Sequence, residues 1–498
     1  MPADDELTSA TDGLRSGTVS SRELVELLLA RIDAASGPTG LHAVLETNPE
    51  AAADAARLDA ERATGRVRGP LHGMPVLVKD NVDTAAPLHT TGGSYALKDT
   101  SPLRDAAVVE HLRAAGLVVL GKTNLSEWAN YRSTSSISGW SAVGGLTRNP
   151  HDSARSPGGS SSGSGAAVAA GLASLSIGTE TDGSIICPAA FCGVVGLKPT
   201  LGLVPTAGVI PVAQSQDVVG PMTRTVRDAA LLLAAMTGRP DAGALDPSHS
   251  GVDRLPLQGA RLGLPRDGVW TKDQRVSAAV EAAVAVLASL GATIVDPVAI
   301  PSLAEIAAAD ELTVLDHEVK VGLAAYLASR PPGGPRSLAE LIAFNQAFAD
   351  IELARFDQDI FERAEATTGL DAAVYVAARE RCLRLSRTEG LDAVFARHDL
   401  DALVMPSADL AFDLGVGADS DRNEGADYTG DRAVGPTSLP AMAGYPMLTV
   451  PCGLVDGLPV GLGLVGLAGH ERVLLRIGHA YEMAAFGPTG SAAAFPPQ

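Results

Sequence analysis

The sequence predicts an α/β fold, and three observations favour this class. Short β-branched runs alternate with alanine-rich helical stretches over much of the chain, which is typical of α/β proteins. Hydrophobic residues make up 46% of the 498 positions, so the chain can bury a large core without disulfides or a structural metal. Glycine (53 residues) and proline (32) together stay below the share, about a quarter, that marks low-complexity chains.

The sequence predicts a helical segment over residues 1–70 that packs on the core. The main domain is predicted to follow it, over residues 71–498. Ser20 and Glu23 form the S-x-x-E pattern of a capping box, and a helical apolar stripe follows at Leu24, Leu27, Leu28 and Ile32. Residues 51–64 predict a second, alanine-rich helix.

The alternation of strands and helices begins after this segment. Residues 76–78 and 117–120 predict short strands, and residues 105–115 predict a helix between them. Residues 132–165 are rich in serine and glycine and lack periodicity, but a predicted helix at 166–170 follows at once. An ordered, functional loop fits this pattern better than a flexible linker.

The second half of the chain is mostly helical at first. Residues 275–400 predict a more variable helical region. Late strands are predicted at 403–406 and 447–451, and a C-terminal helix at 470–485. Because no internal repeat and no clear linker interrupts the chain, we expect one large domain after the N-terminal segment.

The acidic balance of the chain limits its partners. Lysine and arginine number 38 against 58 aspartates and glutamates, and the net charge of −20 repels phosphate backbones. Aromatic residues, at 4%, are too few for a base-stacking surface. We therefore expect no nucleic-acid partner.

The cysteines and the apolar runs bear on location. The four cysteines show no C-x-x-C spacing, so the sequence predicts neither a zinc site nor a disulfide framework. The N-terminus is acidic, and no apolar run reaches the roughly 18 residues that a membrane span needs. These features predict a cytoplasmic protein that binds no membrane, and they leave its oligomeric state open.

Residues 116–123 read G-L-V-V-L-G-K-T, a formal match to the P-loop. A P-loop wraps phosphate with a flexible glycine-rich loop that follows a strand. Here the four residues between the glycines are themselves the apolar strand. The segment therefore predicts a buried strand that ends at Gly121, and not a nucleotide site.

Residues 159–163 read G-S-S-S-G, a formal match to the nucleophile elbow of esterases, centred on Ser161. That elbow must follow an apolar strand, but a polar loop with two prolines comes before it. None of the ten histidines has the context of a triad base, so an esterase-type serine hydrolase is the weaker alternative. The same stretch holds Ser160, and the helix that follows at once argues against a simple linker.

Lys79 ends an apolar run over residues 75–78. Burial at the end of a strand removes water from an ammonium group, which lowers the pKa of a lysine and makes the neutral amine available as a base. From this segment alone, an ordinary ion pair of Lys79 with Asp80 or Asp83 is the better explanation.

Ser184 follows a turn signal at Asp182 and Gly183. Pro188 suits an early helical position and Gly193 a C-terminal cap, so a short helix is predicted just after Ser184. Backbone N–H groups of the turn would then converge beside the serine hydroxyl, which is the geometry of an oxyanion hole. An ordinary serine helix cap is the alternative.

Taken together, the segments around Lys79, Ser160 and Ser184 resemble the amidase signature family, whose hallmark is a serine–cis-serine–lysine triad. Ser160 and Ser184 are 24 positions apart, as the two serines of that family are. The resemblance covers nearly the whole chain and is weakest from about residue 255 to 400. Further segments that resemble the family are residues 121–128, 191–200, 220–224 and 451–463.

The resemblance implies a site and a fold. Lys79 matches the catalytic lysine, Ser160 the bridging serine that follows a cis peptide bond, and Ser184 the acylated nucleophile. It implies an amidase whose large mixed β-sheet is covered by helices on both faces, and it requires no cofactor or metal. The oxyanion hole is then formed by the backbone amides of Thr181, Asp182, Gly183 and Ser184.

The chain departs from the common family pattern T-D-x-G-G-S-I-R around the nucleophile. Glu180 replaces the aspartate, Asp182 the first glycine and Ile186 the arginine, while Ser162 and Gly163 stand where the bridging loop usually has two glycines. These changes leave the triad intact. The variant resembles the peptide amidase branch of the family.

The expected activity is therefore hydrolysis of a carboxylic amide, with peptide C-terminal amides as the first substrate candidates and small aryl or alkyl amides as the second. The glutaminase subunit of a tRNA-dependent amidotransferase shares this triad and is the main alternative. We expect the walls of the substrate pocket to come from residues 128–140 and from the helical region 300–400.

Overall fold

A mixed sheet of eleven strands forms the centre of the protein in a computed structural model that describes residues 10–37, 40–239, 256–414 and 435–487. Helices cover both of its faces, so the predicted α/β class and the mixed sheet implied by the resemblance are confirmed. The strands in sheet order are β1 (Val44–Thr47), β3 (Val118–Thr123), β2 (Pro75–Lys79), β6 (Leu175–Glu180), β8 (Val218–Thr223), β7 (Val195–Lys198), β12 (Met447–Val455), β13 (Leu458–Val465), β11 (Ala402–Pro406), β9 (Arg261–Gly263) and β10 (Thr293–Val295). A separate two-stranded ribbon pairs β4 (Trp140–Ser141) with β5 (Gly145–Leu146).

The helices of the described ranges surround this sheet, and none of them is both long and apolar enough to cross a membrane. Short 3₁₀ turns lie at Glu127–Asn130 and Pro301–Ala304, and a π-helical stretch at Arg384–Leu391. The α-helices in chain order are α1 (Ala10–Ser16), α2 (Ser21–Ala34), α3 (Ala51–Ala63), α4 (Ala107–Ala114), α5 (Ser162–Ala169), α6 (Ile186–Cys192), α7 (Val226–Thr237), α8 (Gln274–Ser289), α9 (Ala308–Ser329), α10 (Leu338–Ala347), α11 (Ala349–Glu352), α12 (Asp359–Glu365), α13 (Ala373–Leu383), α14 (Asp392–His398), α15 (Ser438–Ala443) and α16 (Glu471–Phe486).

The first 70 residues supply helices α1 to α3 and the edge strand β1. The predicted capping box is confirmed, because the Ser20 hydroxyl accepts from the Glu23 N–H and the Glu23 carboxylate accepts from the Ser20 N–H. Strand β1 pairs antiparallel with β3, so this segment extends the same sheet. Its treatment as a unit separate from residues 71–498 stays a prediction.

Strands β2, β3 and β6 lie side by side and parallel, and every residue in them is buried. Near-continuous apolar runs are typical of parallel strands that are covered on both faces. Strand β3 continues to Thr123, so the prediction that it ends at Gly121 was wrong. Gly121 instead pairs with β1, where an added Cβ would clash with the carbonyl oxygen of Glu46.

Helix α5 begins at Ser162, four residues before the predicted start at 166. The serine hydroxyls do not compete with the helix, because they bind carbonyls outside it. Ser162 Oγ donates to Gly158 O at 2.5 Å, and Ser164 Oγ donates to Ile177 O at 3.0 Å. Gly163 lies so close to the backbone of Asn124 that an added Cβ would be 2.6 Å from its nitrogen.

Gly163→Ala is therefore expected to lower the free energy of unfolding by at least about 2 kcal/mol, since the atoms that a methyl group would meet are backbone atoms that cannot turn away. Denaturant unfolding measures this. Gly69→Ala is the matched control, because the nearest atom to its added Cβ would be Ala115 O at 3.8 Å. Equal unfolding free energies for the two variants would contradict the close packing of α5.

The late strands are longer than the sequence predicts. The predicted strand at 447–451 lies within β12, which forms a hairpin with β13 through the two residues Asp456 and Gly457. Both have positive φ, 53° and 82°, as a tight hairpin turn requires. This Asp-Gly signal was readable from the sequence and was missed.

Candidate active site

The three predicted site residues lie at one edge of the sheet. Lys79 is the last residue of β2, and its parallel neighbour β6 ends at Glu180, shortly before Ser184. Ser160 lies in the loop that leads into α5. Carboxyl ends of parallel strands meet at the same edge, which is where ligand sites form in α/β sheets.

Lys79 is completely buried and is surrounded by hydroxyl groups. Its Nζ donates to Ser160 Oγ at 2.8 Å, to Ser161 Oγ at 2.9 Å and to Thr179 Oγ1 at 2.8 Å. Burial lowers the pKa of Lys79 well below its usual value, and the negative charges of Glu180 and Asp217 oppose this only in part. A neutral amine with a serine hydroxyl within reach can act as a general base.

Neither aspartate that follows Lys79 pairs with it. Asp80 accepts from the backbone N–H and the hydroxyl of Thr91, and Lys122 Nζ lies 3.8 Å from its carboxylate. Asp83 accepts from the Tyr326 hydroxyl at 2.7 Å. The alternative of an ordinary Lys79–aspartate ion pair is therefore wrong for this structure.

Ser160 follows a cis peptide bond from Gly159, the feature that the family resemblance implies. The Ser161 N–H donates to Ser184 O at 3.1 Å, which brings the backbones of the two serine segments into contact. No hydrogen bond joins the Ser160 and Ser184 hydroxyls within the residues described. Rotation about the Cα–Cβ bond of a serine moves its hydroxyl between three staggered positions, and catalytic hydrogen bonds often tighten only when substrate binds.

The turn before Ser184 leaves backbone donors free. Gly183 has a φ of 78°, and among the described residues the amides of Gly183 and Ser184 donate to no protein acceptor. The next two amides, of Ile185 and Ile186, both donate to Glu180 Oε2, at 2.7 Å and 2.9 Å. Free amides beside a serine suit the negative oxygen of a tetrahedral intermediate, whereas those bound to Glu180 are not available for it.

The predicted short helix after Ser184 is confirmed as α6, with Pro188 in its first turn and Gly193 as a left-handed C-terminal cap at φ 67°. Glu180 has a role that the sequence did not reveal, since its carboxylate holds the backbone amides of Ile185 and Ile186 where this helix begins. The assignment of Thr181 and Asp182 to the oxyanion hole stays a prediction.

Acidic groups surround the turn. Burial raises the pKa of Asp182, although hydroxyls of Thr437 and Ser438 hydrogen-bond to its carboxylate. Burial and the nearby Asp182 raise the pKa of Glu311, on α9, to about 8. Gln216 Nε2 donates to Glu311 Oε1 at 2.8 Å, so the two side chains hold each other beside the turn.

Lys198 is another completely buried lysine, and it donates to no serine. Its Nζ donates to the carbonyls of Tyr445 at 2.8 Å and Pro440 at 3.4 Å. Burial lowers its pKa to about 8, while the charge of Glu180 acts in the opposite sense. Its contacts are those of a structural lysine that anchors the end of α15.

A cavity of about 1070 Å³ is lined by Asp217 and by residues of α9, and its lining contains none of Lys79, Ser160 and residues 180–184. Asp217, which lines it, accepts from Thr181 Oγ1 at 2.6 Å, and burial raises the pKa of Asp217 to about 6. Val321 and Ala325 of α9 also line this cavity. The cavity lining includes residues of the 300–400 region and none of residues 128–140, and the assignment of either range to the wall of the substrate pocket stays a prediction.

Sequence reasoning missed Asn81 and Thr179, which stand next to Lys79. Asn81 Nδ2 donates to Thr179 Oγ1 at 2.9 Å, and the same oxygen accepts from Lys79. Within the described parts of the chain, no group of three or more histidine, cysteine, aspartate or glutamate side chains could hold a metal ion. The arrangement can perform acyl transfer with a serine nucleophile and a lysine base.

Comparisons with known proteins show similarity to amidases. A sequence profile described as Amidase matches residues 23–475. A probable amidase of Arabidopsis thaliana is 37% identical over 94% of this chain and 87% of its own length. A glutamyl-tRNA(Gln) amidotransferase subunit from Synechococcus sp. (strain WH7803) is 38% identical over 95% of each chain. The crystal structure of native peptide amidase from Stenotrophomonas maltophilia is similar with a TM-score of 0.85 and 46% identity over 96% of each chain.

Proposed function

The chain belongs to the amidase family, and we propose that it hydrolyses peptide C-terminal amides through an acyl-enzyme on Ser184. Hydrolysis of a carboxylic amide is the reaction of this family. The observation that carries our proposal is the 2.8 Å contact between Lys79 Nζ and Ser160 Oγ at a lysine that is completely buried. Such a lysine is neutral at a lower pH than usual and can accept the proton of a serine.

In this mechanism neutral Lys79 takes the Ser160 proton while Ser160 takes the proton of Ser184. Ser184 Oγ attacks the amide carbon, and the free amides of the turn bind the oxyanion. The proton on Lys79 then returns through Ser160 to the leaving nitrogen as the C–N bond breaks, which releases ammonia and leaves an ester on Ser184. Water attacks that ester with the same relay and frees the acid.

Two observations support peptides as the substrate class. The cavity of about 1070 Å³ has room for an acyl chain of several residues, and Asp217 in its lining binds the hydroxyl of Thr181, three positions before Ser184. The structural relative with 46% identity is itself named a peptide amidase. The proposal includes a cytoplasmic location, which suits four cysteines that are all free thiols, and no nucleic-acid or membrane partner.

Intact-mass detection of an acyl adduct tests the mechanism directly. Rapid acid quenching during turnover of a peptide C-terminal amide is expected to trap the enzyme with a mass increase equal to the acyl group. Peptide mapping should then place the adduct on Ser184. An adduct on another residue, or turnover with no trapped adduct in burst conditions, contradicts the proposal.

Placement of the peptide in this cavity predicts that activity depends on substrate length. Ala325→Trp fills part of the cavity from an exposed helix position, so kcat/KM for a tetrapeptide amide is expected to fall about tenfold or more, while kcat/KM for a small amide changes less than about twofold. Ala328→Trp, on the same helix but outside the cavity lining, is the control. An equal effect on both substrates, or on neither, contradicts a peptide site there.

The glutaminase subunit of an amidotransferase is a second candidate, because a relative named as such a subunit is 38% identical over nearly the whole chain. That function needs partner subunits and glutamine. Purification of the native protein from its source as a single polypeptide that hydrolyses peptide amides, but not glutamine, would reject it.

A further inference from the structure

We propose that the Thr179 hydroxyl, held in place by Asn81, completes a three-hydroxyl shell for the Lys79 ammonium and thereby sets the pH range of catalysis. This rests on the proposed role of Lys79 as the base and adds two residues to it. Thr179 touches the reacting amine, whereas Asn81 acts through Thr179 as a positioning residue.

The number of hydroxyl oxygens in the shell equals the number of N–H donors of an ammonium group. Three hydroxyl oxygens, from Ser160, Ser161 and Thr179, lie 2.8 to 2.9 Å from Nζ, and a protonated lysine has three N–H donors. The backbone carbonyl oxygen of Thr179 is a more distant acceptor, at 3.3 Å. Lys79 is completely buried, so bulk water does not reach its amine. A charged donor without an acceptor in such a place is costly.

The hydroxyl proton of Ser161 is already donated to an acceptor other than Lys79. Ser161 Oγ donates to Thr179 O at 2.9 Å and accepts from the Thr179 N–H at 3.2 Å. Towards Lys79 it can therefore only accept. Ser160, by contrast, gives its proton to neutral Lys79 during acylation and accepts from the ammonium afterwards, so the amine needs its third acceptor elsewhere.

Thr179 supplies that acceptor because Asn81 fixes its hydroxyl. The side-chain nitrogen of Asn81 donates to Thr179 Oγ1 at 2.9 Å and occupies one lone pair, and Lys79 Nζ lies 2.8 Å from the same oxygen. Asn81 is itself buried, with 2% of its surface exposed, and the Ile210 N–H donates to the backbone carbonyl of Asn81 at 2.8 Å. The shell is therefore formed before substrate arrives.

The charged groups that act on Lys79 are carboxylates. Glu180, next in sequence to Thr179, and Asp217, which binds the Thr181 hydroxyl, both favour the ammonium, while burial opposes it. A hydrogen bond to the charged form acts in the same sense as these carboxylates. Removal of the Thr179 acceptor must then lower the pKa of Lys79, and a new negative charge at position 81 must raise it.

Thr179→Val and Asn81→Asp test this inference, because they are expected to move the pH dependence of kcat/KM in opposite directions. The rise of kcat/KM with pH, which follows deprotonation of Lys79, is expected to move down by about one to two pH units in Thr179→Val, because a hydrogen bond to a charged group is lost. In Asn81→Asp the rise is expected to move up by about one unit. Thr179→Ser keeps the hydroxyl and should restore the native profile.

The outcomes separate this inference from the proposed function. If Lys79→Arg keeps native activity, the base assignment fails and this inference fails with it. If Lys79 is required but the Thr179→Val and Asn81→Asp profiles match the native one, or move in the same direction, only the inference is overturned. Misfolding cannot mimic the expected result, since loss of folded enzyme lowers the rate without moving the profile in opposite directions.

Discussion

Ser184→Ala is expected to abolish amide hydrolysis while the protein stays folded. Removal of the nucleophile leaves only the binding contacts and the free amides of the turn, so kcat should fall by about four orders of magnitude or more. Ser184 is 4% exposed, and no hydrogen bond in the described residues depends on its hydroxyl, so the melting temperature should change little. Steady-state kinetics and thermal unfolding on the same preparation measure both expectations.

Ser176→Ala is the matched control. Ser176 is a buried serine on β6 whose hydroxyl donates to Leu77 O at 3.3 Å, away from Lys79. Its variant should keep near-native kcat. Appreciable turnover in folded Ser184→Ala would move the nucleophile elsewhere, but Ser161 and Ser162 are poor substitutes because both hydroxyl protons are donated to backbone carbonyls.

The parts of the site that sequence reasoning found are those with a local signal. An apolar run ends at Lys79 and a turn signal precedes Ser184, so each was a candidate, although an ion pair or a helix cap also explained each segment alone. The family resemblance then joined them with Ser160. What no local pattern shows is that β2 and β6 are adjacent and parallel, which places Thr179 beside Lys79 although the two residues are 100 positions apart.

The errors have the same origin. Gly121 and Gly163 were interpreted as a strand end and as part of a loop, since glycine usually interrupts regular structure. In the structure each is required because another segment's backbone lies against it, β1 in one case and Asn124 in the other. Close approach between distant segments leaves no trace in the local sequence. The hairpin at Asp456 differs, since its Asp-Gly signal is local and could have been used.

Lys79→Arg is expected to be about as inactive as Lys79→Ala, with kcat lowered by about three orders of magnitude or more. Arginine keeps the positive charge but cannot lose its proton at workable pH, so it can fill the place of an ion pair and cannot act as a base. Burial lowers the pKa of Lys79, so in the native enzyme the fraction of neutral amine, and with it kcat/KM, rises with pH over a range below that of an ordinary lysine.

The control for the extra bulk of a guanidinium is Lys198→Arg. Lys198 is equally buried, but it donates to backbone carbonyls of Tyr445 and Pro440 and not to a serine. Its variant should lose stability in thermal unfolding and keep the native dependence of kcat/KM on pH, whereas Lys79→Arg should have no such rise at all. A folded Lys79→Arg enzyme with a near-native rate and an unchanged pH profile would contradict the lysine relay, even if Ser184 proved essential. The proton of Ser160 would then have to be accepted by a group other than Lys79.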